Sequence, residues 1–178
     1  MRVFVLCTGR CGSKTLSKAC SHIENFTSGH ETNALRKLGK ARFSYPENHI
    51  EIDNRLSWFL GRLDEEFGTE PFFVHLIRNP DEVAVSFDKR WANKHGITNA
   101  YARGILMGVK TDVSTCRDYV HTVNSNIRLF LRDKPNKMEI LMDKFEKDFT
   151  KFWNRIEAQG NLESALRELS VCHNRSKR

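Results

Sequence analysis

One short stretch near the amino terminus combines glycine, hydroxyl and cationic side chains in a pattern that can bind an anion. The stretch "TGRCGSKTL" follows an apolar run that begins at Arg2. Glycine permits backbone angles that turn successive N–H groups toward one point, and a helix N-terminus adds a positive dipole. An ordinary glycine turn between a strand and a helix is the alternative. The candidate anion-binding residues here are Gly9, Arg10, Cys11, Gly12, Ser13, Lys14, Thr15 and Leu16.

This loop differs from the triphosphate-binding loop G-x-x-x-x-G-K-[ST]. Only two residues separate Gly9 from Gly12, and Lys14 follows Ser13 rather than a glycine. Nucleotide triphosphatases also place a Mg²⁺-binding aspartate after a later apolar strand, whereas "FFVHLIRNP" has Arg78 at that point. An arginine binds an anion rather than a metal, so we expect no metal ion.

Strands and helices alternate along the chain and must position these side chains. Hydrophobic patterns predict strands over Arg2–Cys7, Phe72–Ile77 and Met138–Met142, and helices over Ser13–His22, Asp53–Phe67, Asp112–Leu131 and Phe145–Ile156. Asp53 is the expected N-cap of its helix and Gly68 its end, while Asn79 and Pro80 begin another helix. The alternation predicts a three-layer α/β/α sandwich with a mainly parallel sheet, similar to P-loop NTPases.

Length and composition are those of one folded domain. The chain has 178 residues, of which 39% are hydrophobic and 29% charged, so we expect a single domain over residues 1–178. The apolar run at residues 3–7 is too short for a signal peptide, and we expect a cytoplasmic protein without a membrane span. Five cysteines without a CxxC pair indicate reduced thiols rather than disulfides or a zinc site.

The net charge of +7 indicates an anionic partner. The basic residues are dispersed, apart from a short tail that contains Arg175, Lys177 and Arg178. No interleaving of aromatic and basic residues, as used to stack bases, is present in the sequence. Nucleic acid is therefore not an expected partner.

Two motifs together resemble the sulfotransferases that use 3′-phosphoadenosine 5′-phosphosulfate (PAPS). The loop "RCGSKTL" is similar to that family's [KR]-x-G-[ST]-x-x-L motif, and "RNPDEVAVS", Arg78 to Ser86, is similar to its R-x-P-x-x-x-x-x-S motif. The resemblance implies that the loop binds the 5′-phosphosulfate and that Arg78 and Ser86 bind the 3′-phosphate. Arg10 and Lys14 then stabilise charge on the departing phosphate, which makes Lys14 a candidate catalytic residue as well.

The resemblance covers most of the chain, because "MEILMDKFEKDFTKFW" is also similar to the late strand and helix of the family. Two features depart from it. The RKG motif that other members use near the C-terminus is absent, and Lys14 stands where Thr is common. The tail "CHNRSKR" either replaces the missing motif or is a frayed terminus, and the second interpretation is favoured.

Sulfuryl transfer requires a base to take the proton of the acceptor hydroxyl or amine. The "GHE" of "TSGHETNAL" is expected at the end of the second strand, beside the loop, which makes Glu31 or His30 the candidate base. The resemblance agrees, because family members acting on tyrosine and on some glycolipids carry a glutamate there. We favour Glu31 because Arg10 and Lys14 disfavour an imidazolium. Alternatively, Glu31 caps a helix and His30 is a packed neutral imidazole.

The sequence thus predicts transfer of a sulfuryl group from PAPS, by in-line displacement, to a small-molecule or glycan acceptor. Two alternatives remain: a small P-loop kinase that uses ATP and Mg²⁺, and a non-catalytic protein that binds nucleotides or anionic glycans. His75 is expected in the core, whereas Glu51, Asp53 and Arg55 after His49 either line an acceptor cleft or begin a helix. The oligomeric state is not indicated.

Overall fold

A parallel sheet of five strands forms the centre of the computed structural model, which describes residues 1–90, 96–109 and 112–171. The strands are β1 (Arg2–Leu6), β2 (Thr27–His30), β3 (His49–Ile52), β4 (Phe72–Ile77) and β5 (Lys137–Leu141). Their order across the sheet is β2-β3-β1-β4-β5, and every neighbouring pair is parallel. The predicted parallel α/β fold is confirmed.

Helices cover both faces of the sheet. In the described ranges they are α1 (Ser13–Cys20), α2 (Leu60–Phe67), α3 (Pro80–Asp88), α4 (Ile97–Ala100), α5 (Val113–Leu131), α6 (Phe145–Arg155) and α7 (Leu162–Leu169). Short 3₁₀ turns lie at Gly39–Phe43, Leu56–Trp58 and Met142–Lys144, and a π-helical turn at Tyr101–Ile105 follows α4. None of these helices is both long and apolar enough to cross a bilayer.

Side chains of β1 alternate between two hydrophobic cores, one on each face of the sheet. Val3 and Val5 pack into the core that also contains residues of α1, α6 and α7. Phe4 and Leu6 pack into the core formed with α2, α3 and α5. A buried strand with apolar side chains on both faces is typical of a parallel sheet covered by helices. The fold is therefore the three-layer sandwich that the sequence predicted.

Capping side chains begin two of the helices where the sequence placed them. The Asn79 side chain accepts hydrogen bonds from the backbone N–H groups of Asp81 and Glu82, with Pro80 in the first turn of α3. Asp112 caps α5 in the same way. These local signals were sufficient because a cap depends on residues adjacent in the chain.

The predicted helix over residues 53–67 was too long, and Asp53 does not cap it. Leu56–Trp58 is a 3₁₀ turn and α2 begins only at Leu60, although Gly68 ends it as predicted, at φ 57°. Asp53 is instead fully buried after β3, where its Oδ1 accepts a hydrogen bond of 2.7 Å from the Arg55 N–H. The regular apolar spacing here spans two elements rather than one.

The sequence analysis missed β3 and α7. The β3 segment "HIEI" contains two polar residues, which weakened its strand pattern. Glu51 is fully buried because hydrogen bonds satisfy its carboxylate: the Thr32 N–H and hydroxyl donate at 2.8 and 2.7 Å, and His49 Nε2 lies 3.1 Å away. Tertiary partners thus let a charged residue occupy a central strand.

Candidate functional site

The carboxyl ends of β1 and β4 open onto a cleft of about 300 Å³. These strands are hydrogen-bonded neighbours, with Leu6 beside His75, so the loop after β1 lies next to the residue after β4. Ligands of open parallel sheets bind at this edge. The cleft brings together most of the predicted site residues: Gly9, Arg10, Gly12, Ser13, Lys14, Thr15, His30, Glu31 and Arg78.

The loop after β1 is held in a left-handed conformation. Gly9, Arg10 and Gly12 have φ angles of 81°, 58° and 87°. A Cβ atom on Gly9 would lie 2.9 Å from the Asn54 amide nitrogen, so the backbone approaches its neighbours too closely for a larger residue. Gly12 is the N-cap of α1 and supplies no side-chain hydrogen bond to it. The N-cap residue thus leaves the first N–H groups of α1 without a side-chain partner of its own, and a helix end of this kind can bind an anion.

Direct contacts join the two sequence motifs. Arg10 Nε donates a hydrogen bond of 3.0 Å to the Ser86 hydroxyl, and Arg78 Nη1 donates one of 3.2 Å to the Arg10 carbonyl. Ser86 does not line the cleft, but its hydroxyl contacts Arg10, which does. Arg78 also pairs with Glu82 at 2.8 Å on the exposed side of α3. Cations and a hydroxyl from both motifs therefore share one edge of the sheet.

Two predicted residues turn their side chains away from the cleft. Cys11 and Leu16 are 1% and 0% exposed and belong to a hydrophobic core. The Leu16 N–H donates to the Gly12 carbonyl inside α1, so it is not available to an anion. The Cys7 thiol donates a hydrogen bond that lowers the pKa of the Cys11 thiol. Only the backbone of Cys11 remains a candidate contact, because every apolar residue that packs α1 on the sheet must face inward.

The candidate bases lie where β2 ends, as the sequence predicted. His30 is the last residue of β2, and its Nε2 lies 3.2 Å from the Ser13 hydroxyl. Burial lowers the pKa of His30, which favours the neutral imidazole. Glu31 follows at φ 54°, and its carboxylate lies 3.3 Å from Arg55 Nη1. Both side chains line the cleft, but only His30 contacts the loop directly.

Asn54 and Arg90 also line the cleft and were not assigned to it from the sequence. Of the three residues offered as lining an acceptor cleft, Arg55 does line the cleft, whereas Glu51 and Asp53 are fully buried. Asn54 is 6% exposed, and its Oδ1 has no hydrogen-bond partner within the part of the chain that is described. A buried amide oxygen without a partner that lines a cleft is a ready contact for a hydrogen-bond donor of a ligand.

The described residues contain no cluster of three His, Cys, Asp or Glu side chains that could hold a metal ion. The basic tail "CHNRSKR", a candidate substitute for the RKG motif, lies outside the described residues. The structure therefore describes the cleft without that segment.

Solved sulfotransferases have a similar fold. The sulfotransferase domain of the curacin biosynthetic pathway matches with a TM-score of 0.66 and 14% identity, over 94% of this chain and 75% of that domain. Mouse sulfotransferase SULT7A1, solved in complex with PAP, matches with a TM-score of 0.62 and 13% identity, over 95% of this chain and 62% of that protein. No family model matches the sequence, and no curated protein matches it. The chain thus has a sulfotransferase-like fold.

Proposed function

We propose that this protein is a PAPS-dependent sulfotransferase that acts on a hydroxyl or amine acceptor. The observation that carries the proposal is the contact chain from Arg78 to the Arg10 carbonyl and from Arg10 to Ser86. It joins a site for a 5′-phosphosulfate at the N-terminus of α1 to a site for a 3′-phosphate at α3. The likeness to a structure containing PAP, which is adenosine 3′,5′-bisphosphate, supports the same assignment.

The residues of the cleft fit such a ligand. The N–H groups at the start of α1 and the Lys14 side chain bind the anion next to the transferred group. Arg78 binds the second phosphate together with Ser86, which lies outside the cleft lining and contacts Arg10. PAPS supplies an activated sulfuryl group, with adenosine 3′,5′-bisphosphate as the leaving group. The catalytic work of the protein is then positioning and stabilisation of charge, for which Arg10 and Lys14 are placed.

Glu31 is the proposed general base, and His30 the alternative. The Glu31 carboxylate lines the cleft and lies 3.3 Å from Arg55 Nη1, so its oxygens stand at the mouth of the proposed site. His30 is committed to Ser13, and its lowered pKa makes it a weaker base. Its better role is to orient the Ser13 hydroxyl toward the anion.

We also propose that residues 1–178 act as one sulfotransferase-like domain. The cytoplasmic location and the absence of nucleic acid among its partners stay predictions from the sequence. The alternative functions are a P-loop kinase and a non-catalytic binder of nucleotides or anionic glycans. Arg78 at the end of β4, where a kinase would place a metal-binding carboxylate, disfavours the first.

Thermal denaturation with three ligands tests the proposal: adenosine 3′,5′-bisphosphate, ATP with Mg²⁺, and heparin. At about 100 Kd the bisphosphate should stabilise the protein by roughly 2.7 kcal/mol, and ATP with Mg²⁺ by much less, because ATP lacks a 3′-phosphate. Arg78→Ala should weaken bisphosphate binding about tenfold or more, as expected for lost charge-assisted hydrogen bonds.

Arg132→Ala is the matched control, because Arg132 is an exposed arginine paired with Asp133 away from the cleft. It should leave bisphosphate binding unchanged. Equal stabilisation by both nucleotides, or an Arg78→Ala variant that binds like the wild type, would refute the 3′-phosphate site. Stabilisation by heparin alone would favour the glycan-binding alternative.

A further inference from the structure

A second, apolar pocket of about 280 Å³ opens beside the anion-binding cleft. Its walls come from three separate segments: the connection after β2, the 3₁₀ turn before α2, and α4 with its π-helical turn. Large apolar side chains dominate them, namely Leu35, Trp58, Phe59, Tyr101 and Ile105. We call this feature the apolar pocket.

The apolar pocket exposes side chains that a folded protein normally buries. Leu35 and Ile105 are 55% and 60% exposed, and Trp58 is 36% exposed. Trp58 is held in place by rings on its inner side, with Tyr119 stacked at 6.2 Å and Tyr101 at 6.0 Å between centroids. Clustered exposed apolar side chains on a rigid support mark a binding surface rather than a packing defect.

The apolar pocket is continuous with the cleft. Arg55 and Ile97 line both cavities. Arg55 is the single charged side chain among the described residues around the apolar pocket, and it lies 3.3 Å from the Glu31 carboxylate. Arg55 therefore connects the apolar pocket to the proposed base, which lines the cleft.

We infer that the apolar pocket binds the acceptor, and that the acceptor is a small, uncharged alcohol or phenol with one or two rings or an equivalent apolar body. This inference rests on the proposed sulfotransferase function. The volume of about 280 Å³ is just below the range of about 300–1,000 Å³ typical of small-molecule sites, which favours a small acceptor. A glycan does not fit, because few polar groups are present to replace the water lost from its hydroxyls.

In this arrangement the apolar body of the acceptor contacts Leu35, Trp58 and Ile105, and its hydroxyl points toward Arg55 and Glu31. The hydroxyl oxygen forms the new bond to sulfur while the bond from sulfur to the phosphate oxygen breaks. The hydroxyl proton passes to the Glu31 carboxylate, and adenosine 3′,5′-bisphosphate leaves with the bonding electrons. No oxidant, reductant or metal is required.

Equilibrium dialysis of 2-naphthol against the full chain tests the inference, with and without saturating adenosine 3′,5′-bisphosphate. Leu35→Glu and Ile105→Glu place a charge on the pocket wall at exposed positions, so the fold should tolerate them. Each should weaken 2-naphthol binding about tenfold or more. Leu129→Glu is the matched control at 62% exposure on α5, outside the apolar pocket, and should change binding less than twofold.

The outcomes separate the two proposals. If the wild-type protein does not bind adenosine 3′,5′-bisphosphate, the proposed nucleotide site is refuted. Binding of 2-naphthol in the absence of the bisphosphate tests the apolar pocket independently of that site. Absent 2-naphthol binding, or equal binding by wild type and both glutamate variants, would overturn the acceptor site. The acceptor site would also be overturned if light scattering showed a dimer for the wild type and monomers for the two glutamate variants, because the exposed apolar side chains would then form a subunit interface. Turnover of PAPS with glucosamine but not with 2-naphthol would overturn it as well.

Discussion

Two regions of the protein hold charged side chains in different surroundings. One is the cleft at the carboxyl ends of β1 and β4, and the other is β3 with the residue that follows it. In the cleft, Arg10, Lys14 and Arg78 surround a helix N-terminus that has no side-chain cap. In and just after β3, Glu51 and Asp53 are fully buried, and Glu51 accepts its hydrogen bonds from the protein itself. The first region gathers cations around a cleft that a ligand can enter, whereas the carboxyl groups of the second are enclosed within the fold.

This difference separates binding residues from structural ones better than residue type does. Carboxylates occur in both regions, but among the described residues only Glu31 brings one to the cleft, directly after β2 and beside Arg55. Asp53 accepts a hydrogen bond from one backbone N–H, and its Oδ2 has no partner among the described residues. Burial raises the pKa of Asp53 to about 7. Glu31 and Asp53 each directly follow a strand at the same edge of the sheet, so access to the cleft decides which acid is available for chemistry.

The largest expected effect is a loss of turnover on substitution of Glu31, the carboxylate that lines the cleft. Glu31→Gln keeps the size of the side chain and removes its capacity to take a proton, so it should lower kcat by about 10²–10⁴. Adenosine 3′,5′-bisphosphate should bind as tightly as before, because the carboxylate is not proposed to contact it. Single-turnover kinetics with PAPS and 2-naphthol, together with calorimetry of the bisphosphate, measure both quantities.

His30→Gln is the companion variant, because it removes the imidazole that contacts Ser13. If His30→Gln abolishes turnover while Glu31→Gln retains it, the assignment of the base is reversed. If Glu31→Gln also abolishes bisphosphate binding, Glu31 is a structural residue like Glu51.

The same contrast explains what the sequence could predict. The cleft motifs were found because their signals are local: glycines after an apolar run, and Asn79 and Pro80 at a helix start. Strand β3 was missed because Glu51 is stabilised by Thr32 and His49, and no local pattern reveals that the Thr32 N–H donates to Glu51. Asn54 was lost from the site with that strand, although Arg55 was considered as a residue of an acceptor cleft. The apolar pocket could not be predicted either, because its walls come from three segments that only the fold brings together.

The second prediction concerns the pH dependence of stability at Asp53. The folded pKa of about 7 exceeds the value of 3.8 for a free carboxyl. Between these values the unfolded chain releases the proton and the folded protein keeps it, so this group costs stability as the pH rises from 4 to 7. Asp53→Asn removes that cost. The unfolding free energy of the variant minus that of the wild type should therefore rise by on the order of 4 kcal/mol between pH 4 and pH 7.

Urea denaturation at pH 4 and pH 7 measures this shift. Titration of other groups, such as the buried His75, is common to both proteins and cancels in the difference. Asp133→Asn, at an exposed side chain paired with Arg132, is the control, and its difference from the wild type should stay within about 0.5 kcal/mol. A flat difference for Asp53→Asn would mean that folding does not raise the pKa of Asp53, and Asp53 would then not be enclosed as the structure indicates.

The smallest expected effect is a change in bisphosphate affinity on substitution of Glu82, which tests whether Arg78 is available to bind a phosphate. Glu82 pairs with Arg78 at 2.8 Å with 60% of its own side chain exposed, so it competes with a phosphate for this guanidinium. Exposed pairs contribute about 0.2–1 kcal/mol, and Glu82→Gln should therefore tighten adenosine 3′,5′-bisphosphate binding by up to about fivefold. The variant should also lose a little stability, because Glu82 lies in the first turn of α3, where negative charge is favourable.

Glu163→Gln is the matched control for this small change. Glu163 also lies in the first turn of a helix, α7, and pairs with the arginine four residues later, Arg167. Both variants should lower the melting temperature slightly, but only Glu82→Gln should change the Kd of the bisphosphate in calorimetry. Weaker binding by Glu82→Gln would mean that Glu82 holds Arg78 in its binding position rather than competing for it. Arg78 would then belong with the internally paired charges of β3.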